Sequence, residues 1–222
     1  MLSQNKIFFL FFTSLLFFFK SLLGDVAFIT NQESNMLDVI DLKAKKNVRQ
    51  IKVGKKPAGI AIDKISKIVF VSNPESNNIS KINLKKNTHE FFFAGNSPMS
   101  LNYSYSNKLL YVTNWYENKI SVVNTLNNNI IKEINVGKSP AGIFLAEDLK
   151  RLFVANKDEN SVSIIDTDEF RVIKNVQVGK APYGVFSSSM TKYIFITNVQ
   201  SNSVSLINKK TLKVEKEIEV GE

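Results

Sequence analysis

Residues 141–179 read AGIFLAEDLKRLFVANKDENSVSIIDTDEFRVIKNVQVG. Within them, the segments 141–146, 151–156, 161–166 and 172–178 are rich in β-branched and aromatic residues, and polar turns separate them. Short apolar segments bounded by turn residues predict β-strands, and the 3.6-residue period of a helical repeat is absent. The stretch therefore predicts one antiparallel sheet of four strands.

The same pattern occurs five times along the chain. Tetrapeptides ending in asparagine recur as FITN, FVSN, YVTN, FVAN and FITN, at intervals of 42, 41, 42 and 42 residues, and end at Asn31, Asn73, Asn114, Asn156 and Asn198. Four strands per unit of about 42 residues is the spacing of a β-propeller blade. We therefore predict an all-β chain that forms a β-propeller over residues 25–222, rather than a sandwich of unrelated hairpins.

The strands of each blade are named a to d, with b ending at the repeat asparagine. The first repeat begins at its strand b. We therefore expect the first blade to lack strand a, its inner strand, and the ring of blades to be incomplete. Two explanations are open: the chain is a truncated form of a longer, seven-bladed relative, or five blades close imperfectly or through a partner. The one short repeat lacks a residue between Asn83 and Gly95, and we expect this deletion to lie in a surface hairpin turn.

The repeat unit also carries a family resemblance. Residues 111–114 (YVTN), 120–124 (ISVVN) and 136–143 (VGKSPAGI) resemble the repeat of the YVTN β-propeller family, and the resemblance covers nearly all of residues 25–222. It implies an exported or cell-surface propeller, generally without a known catalytic reaction.

The first 24 residues resemble a targeting segment. Residues 7–19 are almost entirely phenylalanine, leucine and isoleucine, a length that suits the apolar core of a signal peptide better than a spanning helix of about 20 residues. We therefore expect export to the periplasm or the cell surface, with cleavage of residues 1–24 before Asp25. A retained membrane anchor is the alternative.

Composition removes most catalytic chemistry. The chain has no cysteine and one histidine, His89, so it has no thiolate nucleophile, no thiol-ligated metal and no multi-histidine metal site. We expect His89 to be exposed at the start of the second blade's outermost strand. The sequence predicts no catalytic residue, no metal site and no cofactor.

Aromatic residues indicate where a partner would bind. Adjacent strands are antiparallel, so the b–c turns and the d–a connections share one rim. That rim carries the only tryptophan, and we predict a binding patch of Trp115, Tyr116, Lys138 and Tyr183, because aromatic and cationic side chains dominate recognition hot spots. The alternative is that Trp115 only covers a neighbouring blade.

The repeat residues themselves predict structure rather than chemistry. We expect each repeat asparagine to bond its own backbone two residues on and so fix the b–c turn. We also expect the Val-Gly-x-x-Pro elements to use glycine for unusual backbone angles and proline for a stiff start to strand a.

The opposite face collects the a–b and c–d turns, where basic residues are dense. A one-sided positive field favours weak contact with anionic envelope components, although lysine is also a common polar residue of this chain of net charge +9. Nucleic acid is not expected, because export separates the protein from it and no aromatic platform accompanies the lysines. The basic residues of this face are Lys43, Lys45, Lys46, Lys64, Lys67, Lys85, Lys86, Lys108, Lys150, Arg151, Arg171, Lys192, Lys209 and Lys210.

The sequence thus predicts a non-enzymatic binding scaffold whose rim takes an unknown protein, polymer or small ligand. An alternative is an accessory component of a periplasmic redox pathway, since YVTN-like propellers resemble proteins associated with pyrroloquinoline quinone enzymes and the haem d1 propellers. A lactonase-like propeller with a central divalent cation is a third possibility. It would need inward carboxylates on strand a, and only Asp63, Glu147 and Asp148 lie near.

Overall fold

The computed structural model describes residues 25–221, and in them nineteen strands form five antiparallel sheets arranged as consecutive blades. The first sheet has three strands and each of the others has four. No helix in this described range is long and apolar enough to cross a membrane. The strands are, in blade 1, β1 (Val26–Asn31), β2 (Met36–Asp41) and β3 (Lys46–Lys52); in blade 2, β4 (Ile60–Asp63), β5 (Ile68–Asn73), β6 (Asn78–Asn83) and β7 (Thr88–Phe92); in blade 3, β8 (Pro98–Ser104), β9 (Leu109–Asn114), β10 (Lys119–Asn124) and β11 (Asn129–Asn135); in blade 4, β12 (Pro140–Ala146), β13 (Arg151–Asn156), β14 (Ser161–Asp166) and β15 (Arg171–Gln177); in blade 5, β16 (Pro182–Phe186), β17 (Tyr193–Asn198), β18 (Ser203–Asn208) and β19 (Val214–Glu219).

The predicted all-β blade architecture is confirmed. The four strands of blade 4 lie within one residue of the bounds expected from 141–179, and within residues 25–221 blade 1 has no strand a, as predicted. The predicted leader, residues 1–24, lies outside the described residues, so its cleavage stays a prediction.

Blades pack face to face because the motif residues alternate sides along strand b. The first motif residue turns toward the next blade: Tyr111 of blade 3 packs with Leu152 of blade 4, and Phe153 of blade 4 packs with Ile194 of blade 5. The second motif residue turns toward the preceding blade, as Val112 does in packing with Phe70. Each interface is therefore an apolar core shared by two sheets.

The deletion in the second repeat lies in a strand, which corrects the expectation of a shortened turn. The c–d turns of blades 1 to 4 all have four residues, at 42–45, 84–87, 125–128 and 167–170. Strand d of blades 1, 3, 4 and 5 instead contains a β-bulge opposite strand c, and blade 2 pairs without a register shift. The missing residue is the bulge residue, because a bulge inserts one extra residue into one strand of a pair.

Candidate functional site

The repeat asparagines fasten strand b to strand c at the rim. In blades 2 to 5 the Nδ2 of each one donates to a serine Oγ seven residues later, over 2.8 to 3.0 Å, and the four pairs are Asn73–Ser80, Asn114–Ser121, Asn156–Ser163 and Asn198–Ser205. These amides are buried. The structural role is as expected, but the partner is a serine of strand c rather than mainly the asparagine's own backbone. Asn73 alone also reaches its own strand, at the carbonyl of Val71.

A glycine precedes the proline by three residues in four repeats of this chain, and this repetition has a steric cause. A Cβ added at Gly54, Gly95, Gly137 or Gly179 would lie under 3.0 Å from the repeat asparagine of the following unit. Only Gly95 among these four has a positive φ, of 119°. Close approach, not an unusual backbone angle, is therefore the main requirement for glycine here, which corrects the sequence-based expectation.

A second series of asparagines, which sequence reasoning missed, holds the d–a connections. Asn35, Asn77, Asn118 and Asn160 adopt positive φ in the b–c turns. Each Oδ1 accepts a backbone N–H from the connection to the next blade, over 2.8 to 3.1 Å, and the donors are Lys56, Ser97, Ser139 and Ala181. The sequence signal was available, because each of these residues follows the repeat asparagine by four positions.

These contacts build one groove on the rim, across blades 1 to 3. Its volume is about 710 Å³. Two aromatic side chains from the b–c turn of blade 3, Trp115 and Tyr116, form one end of it. The remaining lining residues are Gln32, Lys56, Ala58, Pro74, Glu75, Asn77, Asn96, Ser97 and Met99.

Trp115 is held from several sides. Its backbone N–H donates to the backbone carbonyl of Ser97 over 3.1 Å, and its ring centroid lies 6.4 Å from that of Tyr183 on β16. The Nζ of Lys157 lies 5.3 Å from the Trp115 ring centroid, a cation–π geometry. Trp115 is half-buried, so it both packs against blade 5 and presents part of its ring to the groove.

The four predicted patch residues are only partly brought together. Trp115 and Tyr116 line the groove, Tyr116 is 78% exposed, and Tyr183 lies beside Trp115, its ring tilted by 56° and 43% of its surface exposed. Lys138 is exposed on the same rim, but the cation over the tryptophan ring is Lys157. Lys157 lies in the 3₁₀ turn Lys157–Glu159, and the sequence did not point to it; the role of Lys138 in binding stays a prediction.

Comparison with known proteins identifies the architecture. A family model described as YNCE-like beta-propeller matches residues 61–151, while the sequence matches no curated protein. A functionally unknown protein from Desulfotomaculum acetoxidans aligns with a TM-score of 0.76 at 17% identity, covering 87% of this chain and 69% of that one. The chain is a β-propeller repeat protein.

Two further solved structures share the propeller fold. Virginiamycin B lyase from Staphylococcus aureus aligns with a TM-score of 0.76 at 18% identity, over 90% of this chain and 68% of that one. Hydrazine synthase from Kuenenia stuttgartiensis aligns with a TM-score of 0.67 at 15% identity, over 88% and 84%. At these identities the likeness shows the fold alone.

On the opposite face of the propeller, the carboxylates of Asp63 and Glu147 accept hydrogen bonds from side chains of a neighbouring blade. Asp63 is 2% exposed and accepts from the Tyr103 hydroxyl over 2.9 Å. Burial alone would raise the pKa of Asp63, but hydrogen bonds from Ser66 and Tyr103 outweigh it and lower that pKa. Glu147 accepts from the hydroxyls of Ser104 and Ser106 at 2.6 and 2.7 Å.

The structure also describes the surroundings of His89 and of several basic residues. His89 is exposed on β7, as expected, and partial desolvation of its ring, which lies 4.4 Å from that of Phe91, lowers its pKa. Four of the basic residues are paired with carboxylates, as Lys150–Asp168, Arg151–Asp166, Arg171–Glu169 and Lys192–Glu215. Among residues 25–221, no group of three or more acidic or histidine side chains has the arrangement of a metal site.

Proposed function

We propose that this β-propeller is an exported, non-enzymatic binding scaffold of the cell envelope and that the rim groove is its ligand site. One observation carries the proposal: Trp115 and the 78% exposed Tyr116 stand side by side at the end of a groove of about 710 Å³. Large exposed aromatic side chains in a concave site are typical of binding hot spots.

The groove lining favours an uncharged, hydroxyl-rich ligand such as an oligosaccharide. Gln32, Asn77 and Asn96 bring side chains that both donate and accept hydrogen bonds. The one lysine of the lining, Lys56, pairs with Glu33 at 2.7 Å, which offsets its charge. Aromatic rings supply an apolar surface for the ring faces of a sugar, while amides match its hydroxyls.

The single tryptophan makes the groove directly observable. Titrating the protein with neutral oligosaccharides should change its intrinsic tryptophan fluorescence, because Trp115 is the only source of that signal. Polyphosphate should give no saturable change. Tyr116→Ala should weaken oligosaccharide binding by about 1–3 kcal/mol, whereas Met190→Ala, which removes a 94% exposed apolar side chain elsewhere on blade 5, should leave it unchanged.

Two results would contradict this proposal. One is the absence of any saturable fluorescence change across the oligosaccharides; the other is equal binding by the Tyr116→Ala variant and the parent protein. Calorimetry on Trp115→Ala then distinguishes two roles of this residue. If Trp115 contacts the ligand, the variant binds more weakly. If Trp115 only packs against its neighbours, the variant unfolds at a lower temperature and the affinity of the folded molecules is unchanged.

The proposal that the protein is exported rests on the apolar segment within residues 1–24, which is typical of proteins delivered to the periplasm or the cell surface. Mass spectrometry of protein from fractionated cells should find a chain that begins near Asp25. Recovery of the intact leader in the membrane pellet would favour the anchor instead. Weak contact of the basic face with anionic envelope components belongs to the same proposal, and it should disappear as salt concentration rises.

A further inference from the structure

The outermost strand of blade 2 differs from the other four outermost strands of the propeller. β7 is last in the sheet order β4-β5-β6-β7, and it pairs with β6 without a bulge. The corresponding strands β3, β11, β15 and β19 all contain a register shift against strand c. Bulges bend and twist an edge strand and so discourage pairing with another chain. β7 lacks that protection.

The same strand exposes aromatic side chains where the other blades expose polar ones. Phe91 is 52% exposed and Phe93, just after the strand, is 56% exposed, while the His89 ring centroid lies 4.4 Å from that of Phe91. His89 and Phe91 lie on one face of β7, because alternate residues of a strand share a face, and Phe93 is the next position in that alternation, directly after the strand. The edge therefore presents a continuous aromatic row.

The other blades provide an internal comparison at these two positions. Phe91 lies opposite the strand c residue Ser80, and the residues in the equivalent position of the other blades are Gln50, Glu133, Asn175 and Glu217. Phe93 lies two positions further on, where the other blades have Lys52, Asn135, Gln177 and Glu219. Polar and charged residues blunt an edge strand, and blade 2 has replaced both of them with phenylalanine.

We propose that β7 is an interaction edge at which a second copy of this chain adds an antiparallel strand, with Phe91 on the two-fold axis. In that register Phe91 opposes its own counterpart and His89 opposes Phe93, so the two aromatic rows form one ladder across the joined sheets. Residues directly opposite each other in an antiparallel pair share a face, and aromatic cross-strand pairs stabilise a sheet. The arrangement is isologous, since each chain uses the same residues.

Charge selects this register over its neighbour. With Phe91 on the axis, Glu90 lies opposite Phe92 of the other copy, and it keeps its ion pair with Lys81 of its own chain at 2.9 Å. Centring the pair on Glu90 would place two carboxylates directly opposite each other, which destabilises a strand pair. A second copy therefore fits the edge better when the pair is centred on Phe91 than when it is centred on Glu90.

The contact is small, so the dimer should be weak and reversible. Only about half of each phenylalanine is available for burial, and interfaces well below 1,200 Å² are typical of transient complexes. Sedimentation velocity over a dilution series of the purified protein should show a monomer–dimer equilibrium. Phe91→Gln, which copies the residue of blade 1, should weaken dimerisation at least about tenfold.

A matched control is available on blade 3. Ile131 is 49% exposed on the bulged strand β11, so Ile131→Gln removes similar apolar exposure from a protected edge and should leave the dimer unchanged. The chain has no cysteine, so Phe91→Cys should give a disulfide-linked dimer under mild oxidation, whereas Ile131→Cys should not.

Two outcomes would overturn the proposal. The first is a protein that stays monomeric at every concentration; if β7 of that monomer pairs with an extended apolar peptide of another sequence, the edge is a peptide site instead. The second is a dimer that Phe91→Gln does not weaken, which would place the contact elsewhere on the molecule.

Discussion

The tetrapeptide FITN occurs twice, at residues 28–31 in blade 1 and 195–198 in blade 5. Ile196 is fully buried against blade 4, whereas Ile29 is 50% exposed. The phenylalanines show the opposite pattern. Phe28 packs against the core shared with blade 2, whereas Phe195 lies on the face of blade 5 opposite to that of Ile196, because neighbouring residues of a strand point to opposite faces. Identical sequences thus have different environments because the neighbouring blade, and not the local sequence, supplies the burial.

The largest expected effect compares the two isoleucines. Ile196→Ala should lower the free energy of unfolding by about 2–5 kcal/mol, since it opens a cavity in a fully buried core. Ile29→Ala should change it by no more than about 0.5 kcal/mol, as exposed substitutions usually do. Urea denaturation followed by circular dichroism measures both. Equal losses for the two variants would mean that a further surface covers Ile29 in solution.

A smaller difference is expected for the repeat asparagines. Asn114 is fully buried and its amide bonds to the Ser121 hydroxyl, so Asn114→Ala leaves a buried hydroxyl with one partner fewer and should cost about 1–3 kcal/mol. Asn31 is only half-buried, and its partner Asp38 keeps a bond from Gln50 at 2.8 Å. Asn31→Ala should therefore cost less than about 1 kcal/mol by the same denaturation measurement.

The repeats made the blades predictable, because five copies in one register constrain where strands begin and end. The sequence could not show where the second repeat lost its residue, since 84–94 is one residue short whether the loss falls in the turn or in the strand. It could not show that Lys157 lies over the Trp115 ring either, because several lysines lie in the rim connections and only the path of the backbone decides which one reaches that ring. The role of Asn77 and its counterparts was missed because turn geometry, rather than composition, gives those residues their partners.

The smallest expected effect is pH-dependent. The pKa of Asp63 is lowered in the folded state from its ordinary value of 3.8, so the stability it contributes is present above that value and is lost as pH falls from there through the folded-state pKa. Unfolding midpoints measured between about pH 6 and pH 3 should fall less for Asp63→Asn than for the parent protein. Asp41→Asn is the control, because Asp41 accepts only from the Lys43 and Ala44 N–H groups of its own turn.

Hydrogen–deuterium exchange tests most directly whether the structural surroundings, and not the local sequence, set the stability of each tetrapeptide. Because residues 28–31 and 195–198 have the same sequence, differences in their amide exchange report structure and stability with little contribution from side-chain chemistry. β17 lies between two strands of its own sheet, whereas β1, among residues 25–221, pairs with β2 alone. We expect strong protection at 195–198 and markedly faster exchange at 28–31. Equal protection of the two tetrapeptides would contradict the account.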